Sequence, residues 1–309
     1  MKLKKALIYL INKIYFSITS KMGFTHYYLL SRNIPIYEFT DKSGLLGNVC
    51  YGNNLAVKKA MGKDFKPDCM IEHGIYFGRY VLEEECLYPE ISTIYTYSPY
   101  RKEVLNEYFG PGFSKEIVVV GPYIKFADHL YSKKKLSKLK EKLGKVLIVF
   151  PTHSSMDTSV DFSHNIWLNE IQKRSKGYDT VIISLFWADI NKGLHKQYIE
   201  NGYLIACNGN RFDSNFLSRQ KDLISLADMT MSNNIGTHIG YCICMNKPHY
   251  IFHQEVYNSD ISDRSKVSID IIETNRQKEY SELYTHFSEF NTIITPEQKK
   301  IVEYYWGPF

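Results

Sequence analysis

Signatures of several common chemistries are missing from this 309-residue chain. It has no Gly-x-x-x-x-Gly-Lys loop, no Gly-x-Gly-x-x-Gly turn, no His-Glu-x-x-His pair and no Gly-x-Ser-x-Gly elbow. That excludes P-loop, fingerprint dinucleotide, zincin and α/β-hydrolase readings. Asp-x-Asp is absent too, so no acidic pair stands ready to anchor a metal-bound nucleotide, and no metal site is assigned. The six cysteines show neither zinc-type pairing nor dense disulfide spacing, and read as reduced, small apolar residues. No stretch approaches the ~18–20 apolar residues that a membrane-spanning helix needs. Net charge is small, 38 Lys and Arg against 33 Asp and Glu, which argues against a dedicated nucleic-acid binder.

What charge there is sits in two places. Residues 1–21 carry Lys2, Lys4, Lys5, Lys13 and Lys21 and no acid, while Ser132–Lys145 carries seven lysines and one glutamate. On a helical wheel Leu3, Leu7, Leu10, Ile11, Ile14 and Ile18 share one face of the first segment, and Lys2, Lys5 and Lys13 fall elsewhere. A basic amphipathic helix of this kind can lie in an anionic membrane surface. The alternative is a helix whose apolar stripe packs on its own protein. The one-signed charge favours the membrane, at the inner face of a cytoplasmic membrane that the chain attends peripherally.

An apolar share of 44% and a charged share of 23% are those of a globular chain, and the length suits about two domains of ~150 residues. Short β-rich runs alternate with helical stretches. Cys69–Glu72, Ile91–Tyr97 and Ile117–Val120 read as strands, with helices over Lys102–Phe109 and Ser132–Leu143. Val146–Phe150 starts a second series, with strands at Thr180–Leu185, Tyr203–Cys207, Met229–Ser232 and His249–Phe252. Helices are expected between them over Phe162–Lys176, Leu194–Asn201, Phe216–Ala227 and Ile235–Asn246, and after them over Arg276–Phe287 and Pro296–Trp306. Successive βα units call for mainly parallel sheets covered by helices. The expected architecture is α/β, two Rossmann-like domains facing a cleft behind an N-terminal amphipathic helix. The segments are 1–22 for that helix, 23–135 and 136–295 for the domains, and 296–309 for a C-terminal helix that can cross back.

Ligands in such folds sit at the carboxyl ends of strands, so the candidate residues are sought there. Ser232-Asn233-Asn234-Ile-Gly236-Thr237 follows a strand and opens a helix, where free backbone N–H groups and the helix dipole favour an anion. Ser232 and Thr237 can add hydroxyl donors, and Gly236 allows close backbone approach. Thr152-His153-Ser154-Ser155 follows the strand ending at Phe150 and offers donors suited to a phosphate or sugar. Asn208 and Arg211 follow the strand at Tyr203–Cys207, and the arginine could pair with a diphosphate. Glu72-His73-Gly74 ends the first strand, and either of its first two side chains could act as a general base. For each of these a purely structural turn or cap is the competing reading.

In order and spacing these features resemble the two-domain (GT-B) glycosyltransferases that build bacterial capsule and lipooligosaccharide. The likeness covers roughly residues 65–255, including Ser225-Leu-Ala-Asp228-Met-Thr-Met-Ser-Asn-Asn-Ile-Gly-Thr and Lys247-Pro248. Sialyltransferases and polysialyltransferases of this fold carry an acidic motif ending in glycine, which Glu72-His73-Gly74 resembles. They also carry a His-Pro motif and a Ser/Thr pair. His153 stands in a comparable place, although Ser154 follows it instead of proline, and the pair would fall on Ser232 or Thr237. The glycerophosphate transferases of teichoic-acid assembly carry a His-Gly that His73-Gly74 would match.

The resemblance implies an inverting, metal-independent transfer of a sugar from a CMP-, UDP- or GDP-linked donor to a glycan or glycolipid acceptor, with no cofactor. Glu72 or His73 would be the base, and residues 152–155, 208, 211 and 232–237 would hold the donor. The alternatives are a non-catalytic membrane-peripheral protein of polysaccharide assembly and a nucleotide-sugar epimerase.

Overall fold

The computed structural model describes residues 2–32, 45–154, 158–260, 266–268 and 277–309. Two parallel sheets organise it. The first has the order β1-β2-β3, from β1 (Cys69–Ile71), β2 (Thr93–Thr96) and β3 (Glu116–Val119), with Cys69 opposite Thr93 and Thr93 opposite Glu116. The short helix α4 (Glu83–Cys86) lies between β1 and β2, and helix α5 (Pro99–Phe109) joins β2 to β3. Its start is fixed by Ser98, whose side chain accepts from the Arg101 N–H, and by proline in the first turn.

The second sheet is built from β4 (Val146–Phe150), β6 (Thr180–Ser184), β7 (Leu204–Ala206), β8 (Met229–Ser232) and β9 (His249–Ile251), in the order β7-β6-β4-β8-β9. The chain thus winds outward on one side of β4 and then returns to its other side at β8. Strand β4 is buried along its whole length, as a central strand covered by helices on both faces must be. Its side chains alternate between two cores, with Val146, Ile148 and Phe150 in one and Leu147 and Val149 in the other. Helices α6 (Lys133–Leu143), α7 (His164–Arg174), α8 (Trp187–Asn191), α9 (His195–Glu200), α10 (Phe216–Ser225) and α11 (Thr237–Cys244) connect or precede these strands.

The first of those cores is common to both sheets. It takes in Cys69, Ile71, Tyr95 and Tyr97 from the first and Val146, Ile148 and Phe150 from the second. The last two helices, α12 (Gln277–Phe287) and α13 (Pro296–Trp306), add to it; Arg276 lies outside the described residues. Helix α13 opens with a capping box between Thr295 and Gln298 and packs against both α5 and α11. Trp306 covers Gly240 so closely that a Cβ there would lie 2.2 Å from the indole. Its Nε1 donates to the Thr237 carbonyl at 3.1 Å. Across the same seam the hydroxyls of Tyr97 and Tyr241 are 2.8 Å apart.

Several elements depart from the sequence expectation. Phe162 ends a strand, β5 (Thr158–Phe162), and the helix after it begins at His164. The strand pairs antiparallel with β10 (Val256–Asp260), Val256 opposite Phe162, and β10 pairs with β11 (Lys266–Ser268). A partner about a hundred residues away leaves no local trace. The expected helix over Leu194–Asn201 is preceded by a further short one, α8. Helix α3 (Asn53–Met61) was not anticipated at all, its lysines and small residues giving only a weak apolar stripe. No helix among the described residues is long and apolar enough to cross a membrane.

Replacing Gly240 by Val sets a branched side chain against the Trp306 ring. Overpacking of this kind costs about 2–3 kcal/mol, and urea unfolding should show that loss.

Candidate functional site

The carboxyl ends of β1, β4, β6, β7 and β8 converge on a cavity of about 370 Å³. In the second sheet it lies where the strand order reverses, between β4 and β8, the place at which open α/β sheets bind ligands. His73, Gly74, Ile75 and Tyr76 approach it from the first sheet. Phe150–His153, Ser184–Phe186, Asn208 and Asn234–His238 approach it from the second. Tyr51 comes from the loop before α3 and Asn53 from its first turn, and α10 contributes Phe216, Leu217 and Gln220.

Two halves of the site are tied by Thr237, whose Oγ1 accepts from the Ile75 N–H at 3.2 Å. At this N-terminus of α11, nothing among the described residues accepts from the backbone N–H groups of Thr237 and His238. Such groups and the helix dipole make an anion site. Gly236, the residue before the helix, has φ −167°, an extended conformation open to any residue. Its lack of a side chain instead makes room for the His238 ring, which a Cβ would approach to 2.9 Å. The His238 imidazole stacks on Phe150 at 4.9 Å, and its Nε2 is buried with no hydrogen-bond partner among the described residues. Burial, with the nearby His153 adding to it, pushes the His238 pKa down to about 3, so the ring is neutral.

The walls are aromatic. His153 stacks on Phe186 at 4.6 Å and Tyr51 meets Phe216 at 4.8 Å. Tyr51 has φ +59°, in the left-handed region, which costs a tyrosine roughly 1–3 kcal/mol. It is held there from both sides, its N–H donating to the Arg211 carbonyl and its own carbonyl accepting from Leu217 at 3.2 Å. Thr152 is held in the cavity wall by Asn233, whose Oδ1 accepts from the Thr152 N–H at 2.7 Å and from its hydroxyl at 2.9 Å.

Glu72 and His73, adjacent in sequence, part company in space. The Glu72 N–H still bonds to the Tyr95 carbonyl, so the strand's alternation sends consecutive side chains to opposite sides. Glu72 is 1% exposed and bound by the fully buried Arg101, Oε1 to Nη2 at 2.6 Å and Oε2 to Nε at 3.3 Å, with the Thr96 hydroxyl donating as well. A buried guanidinium needs this carboxylate as its counter-ion, and Glu72 is corrected from candidate base to structural partner. His73 faces the cavity with the Tyr76 hydroxyl 3.0 Å from its Nδ1. Burial lowers its pKa, outweighing the pull of Glu72.

Three further candidates are corrected. Ser232 is fully buried, donating to the Asn234 carbonyl at 2.7 Å and contacting His249 Nε2 at 3.0 Å, so it shapes the loop and does not line the cavity. Ser154 is 1% exposed, its N–H shared between the Asp189 carboxylate oxygens at 3.3 Å. Arg211 does not line the cavity; its guanidinium lies over Phe212 at 4.9 Å. Asn233 acts behind the wall through Thr152. Ser155 lies outside the described residues. Thr152, His153, Asn208, Asn234, Gly236 and Thr237 do line the cavity.

Sequence reasoning passed over Tyr51, Asn53, Tyr76, Phe186, Phe216, Gln220 and His238. His238 stood next to a loop already singled out, and Phe186 directly follows the expected strand Thr180–Leu185, whose end was not searched; that proximity was a usable signal. For Tyr51 and Asn53, just before and at the start of an unanticipated helix, there was none.

No family model and no curated protein matches the chain. Among solved structures it is similar to HepE of Anabaena in complex with UDP, at 15% identity and a TM-score of 0.34, over 59% of this chain and 52% of that one. It is similar to the wall teichoic acid polymerase TagF at 13% identity and a TM-score of 0.41, over 60% and 48%. It is also similar to MnaA of S. aureus with UDP, at 11% and 0.37, over 88% and 71%. The chain spans about half the length of the first two.

Two outcomes test the geometry. Glu72→Gln leaves the Arg101 charge unmatched, which should lower unfolding free energy by about 3–5 kcal/mol, read from urea melts. His238 binds a proton in the unfolded chain below about pH 6.5, but in the folded protein only near pH 3. The unfolded state therefore holds more protons in that window, and stability falls as pH drops through it. The cost is about 2 kcal/mol at pH 5, and His238→Asn should flatten the slope of urea stability between pH 7 and pH 5.

Proposed function

We propose that this protein is a glycosyltransferase of the two-domain type, moving a sugar from a CMP-, UDP- or GDP-linked donor to a bacterial surface glycan or glycolipid. The observation that carries the reading is the meeting, in one cavity, of a helix N-terminus beside the second sheet, whose first N–H groups have no acceptor among the described residues, and the His73 imidazole from the first. The donor phosphate rests on the Thr237 and His238 N–H groups, with Thr152 and His153 as flanking donors. The aromatic wall of Phe186, Phe216 and Tyr51 suits the flat face of a nucleobase.

His73 is the base of the proposed reaction. A neutral imidazole keeps one nitrogen free of a proton, and that nitrogen takes the proton of the acceptor hydroxyl. The acceptor oxygen bonds to the anomeric carbon as the bond from that carbon to the phosphate oxygen breaks, in one inverting displacement. The nucleotide leaves with the bonding pair, its new charge met by the backbone N–H groups, which were oriented before the reaction began. This reading needs no metal, and it sets the work at the inner face of the cytoplasmic membrane.

Titration calorimetry with CMP, CDP, UDP and GDP should show binding of one base class. His73→Ala should lower kcat with that donor by about 10²–10⁴-fold, leaving nucleotide affinity within a few fold. Absence of binding by all four would remove the proposal, and full turnover in the variant would remove the base.

A further inference from the structure

Helix α1 (Lys2–Thr19) is turned the opposite way from an ordinary surface helix. Among its described side chains the fully buried ones are polar, Asn12 and Thr19, while Leu7, Leu10, Ile11, Ile14 and Ile18 are 36–58% exposed. At 3.6 residues per turn those five occupy an arc of about 100°, the width of stripe that normally faces a core.

The orientation is fixed by bonds. Thr19 Oγ1 lies 3.4 Å from Asp213 Oδ2, and the fully buried Arg219 donates to the Thr19 carbonyl at 2.6 Å and to the Met22 carbonyl at 2.7 Å. Asp213 pairs with the same guanidinium at 2.9 Å. Turning the stripe inward would leave that guanidinium short of acceptors. The next short helix, α2 (Tyr27–Leu30), extends the apolar surface with Tyr28, 64% exposed. It is joined to α1 by the Tyr15 hydroxyl, which reaches the Leu29 carbonyl at 2.9 Å.

We infer that this face docks on an anionic lipid surface. Charge decides between lipid and a second copy of the chain. Lys13, Lys21 and Arg32 are exposed beside the stripe, Lys2, Lys4 and Lys5 precede it in sequence, and no acid occurs before Glu38. Two copies meeting stripe to stripe would bring like charges together, whereas phosphate headgroups would complement them. Tyr28 supplies an amphipathic ring of the kind that settles at such interfaces. The inference stands on this helix alone and holds whether or not the cavity takes a nucleotide.

The test is sedimentation of the full chain with vesicles of phosphatidylglycerol and phosphatidylcholine, against pure phosphatidylcholine. Binding is expected to the anionic vesicles at low salt and to weaken in ~1 M salt, where the screening length falls to ~3 Å. The double variant Leu10→Glu with Ile14→Glu alters only exposed side chains. It should keep its melting temperature yet lose binding by more than about tenfold. Indifference of the parent to anionic vesicles, or equal binding by the variant, overturns the inference. So does a parent dimer in gel filtration that ignores vesicles and is split by the same variant, since the stripe then belongs to a second copy.

Discussion

The seat of Trp306 against Gly240 is the contact on which the rest of the architecture depends. Its indole fills the space where a side chain would stand on α11 and donates to the Thr237 carbonyl. Thr237 in turn accepts from Ile75 in the loop after β1. One residue near the end of the chain therefore sets the position of a helix tip, and through it the loop that carries His73. The apolar cluster around it joins both sheets, so burial that stabilises the fold also aligns the walls of the cavity.

Polar groups buried behind those walls serve the same end. Asn233 fixes Thr152 with two hydrogen bonds to one oxygen, Asp189 gathers the Ser154 N–H, and Glu72 anchors Arg101 beneath the loop that presents His73. None of the three acidic or amide side chains touches the cavity. Groups that touch it are mostly rings and backbone, a surface that leaves the interior short of fixed charge. An incoming anion would meet dipoles and neutral imidazoles instead of cations.

The strands were legible because their apolar runs are bounded by punctuation, Val146–Phe150 by Pro151 and Tyr203–Cys207 by Asn208-Gly209. With the strand ends located, the loops at 152–153 and 234–237 followed. Pairings made at a distance stayed hidden. Glu72 and His73 could not be told apart in sequence, because what separates them is Arg101, 29 residues on from Glu72 and in helix α5. The β5-β10-β11 sheet is invisible for the same reason. Ser232 was a fair candidate by residue type, but its hydroxyl is spent on the Asn234 carbonyl and on His249, brought alongside by β9.

The hydroxyl pair of Tyr97 and Tyr241 lies within the apolar seam between the two sheets, both rings buried. Pulling the halves apart would wet that seam and strip each phenol of its mate. A hinge that gapes like a jaw is therefore disfavoured in this molecule. Whatever enters the cavity would have to do so without parting the two sheets.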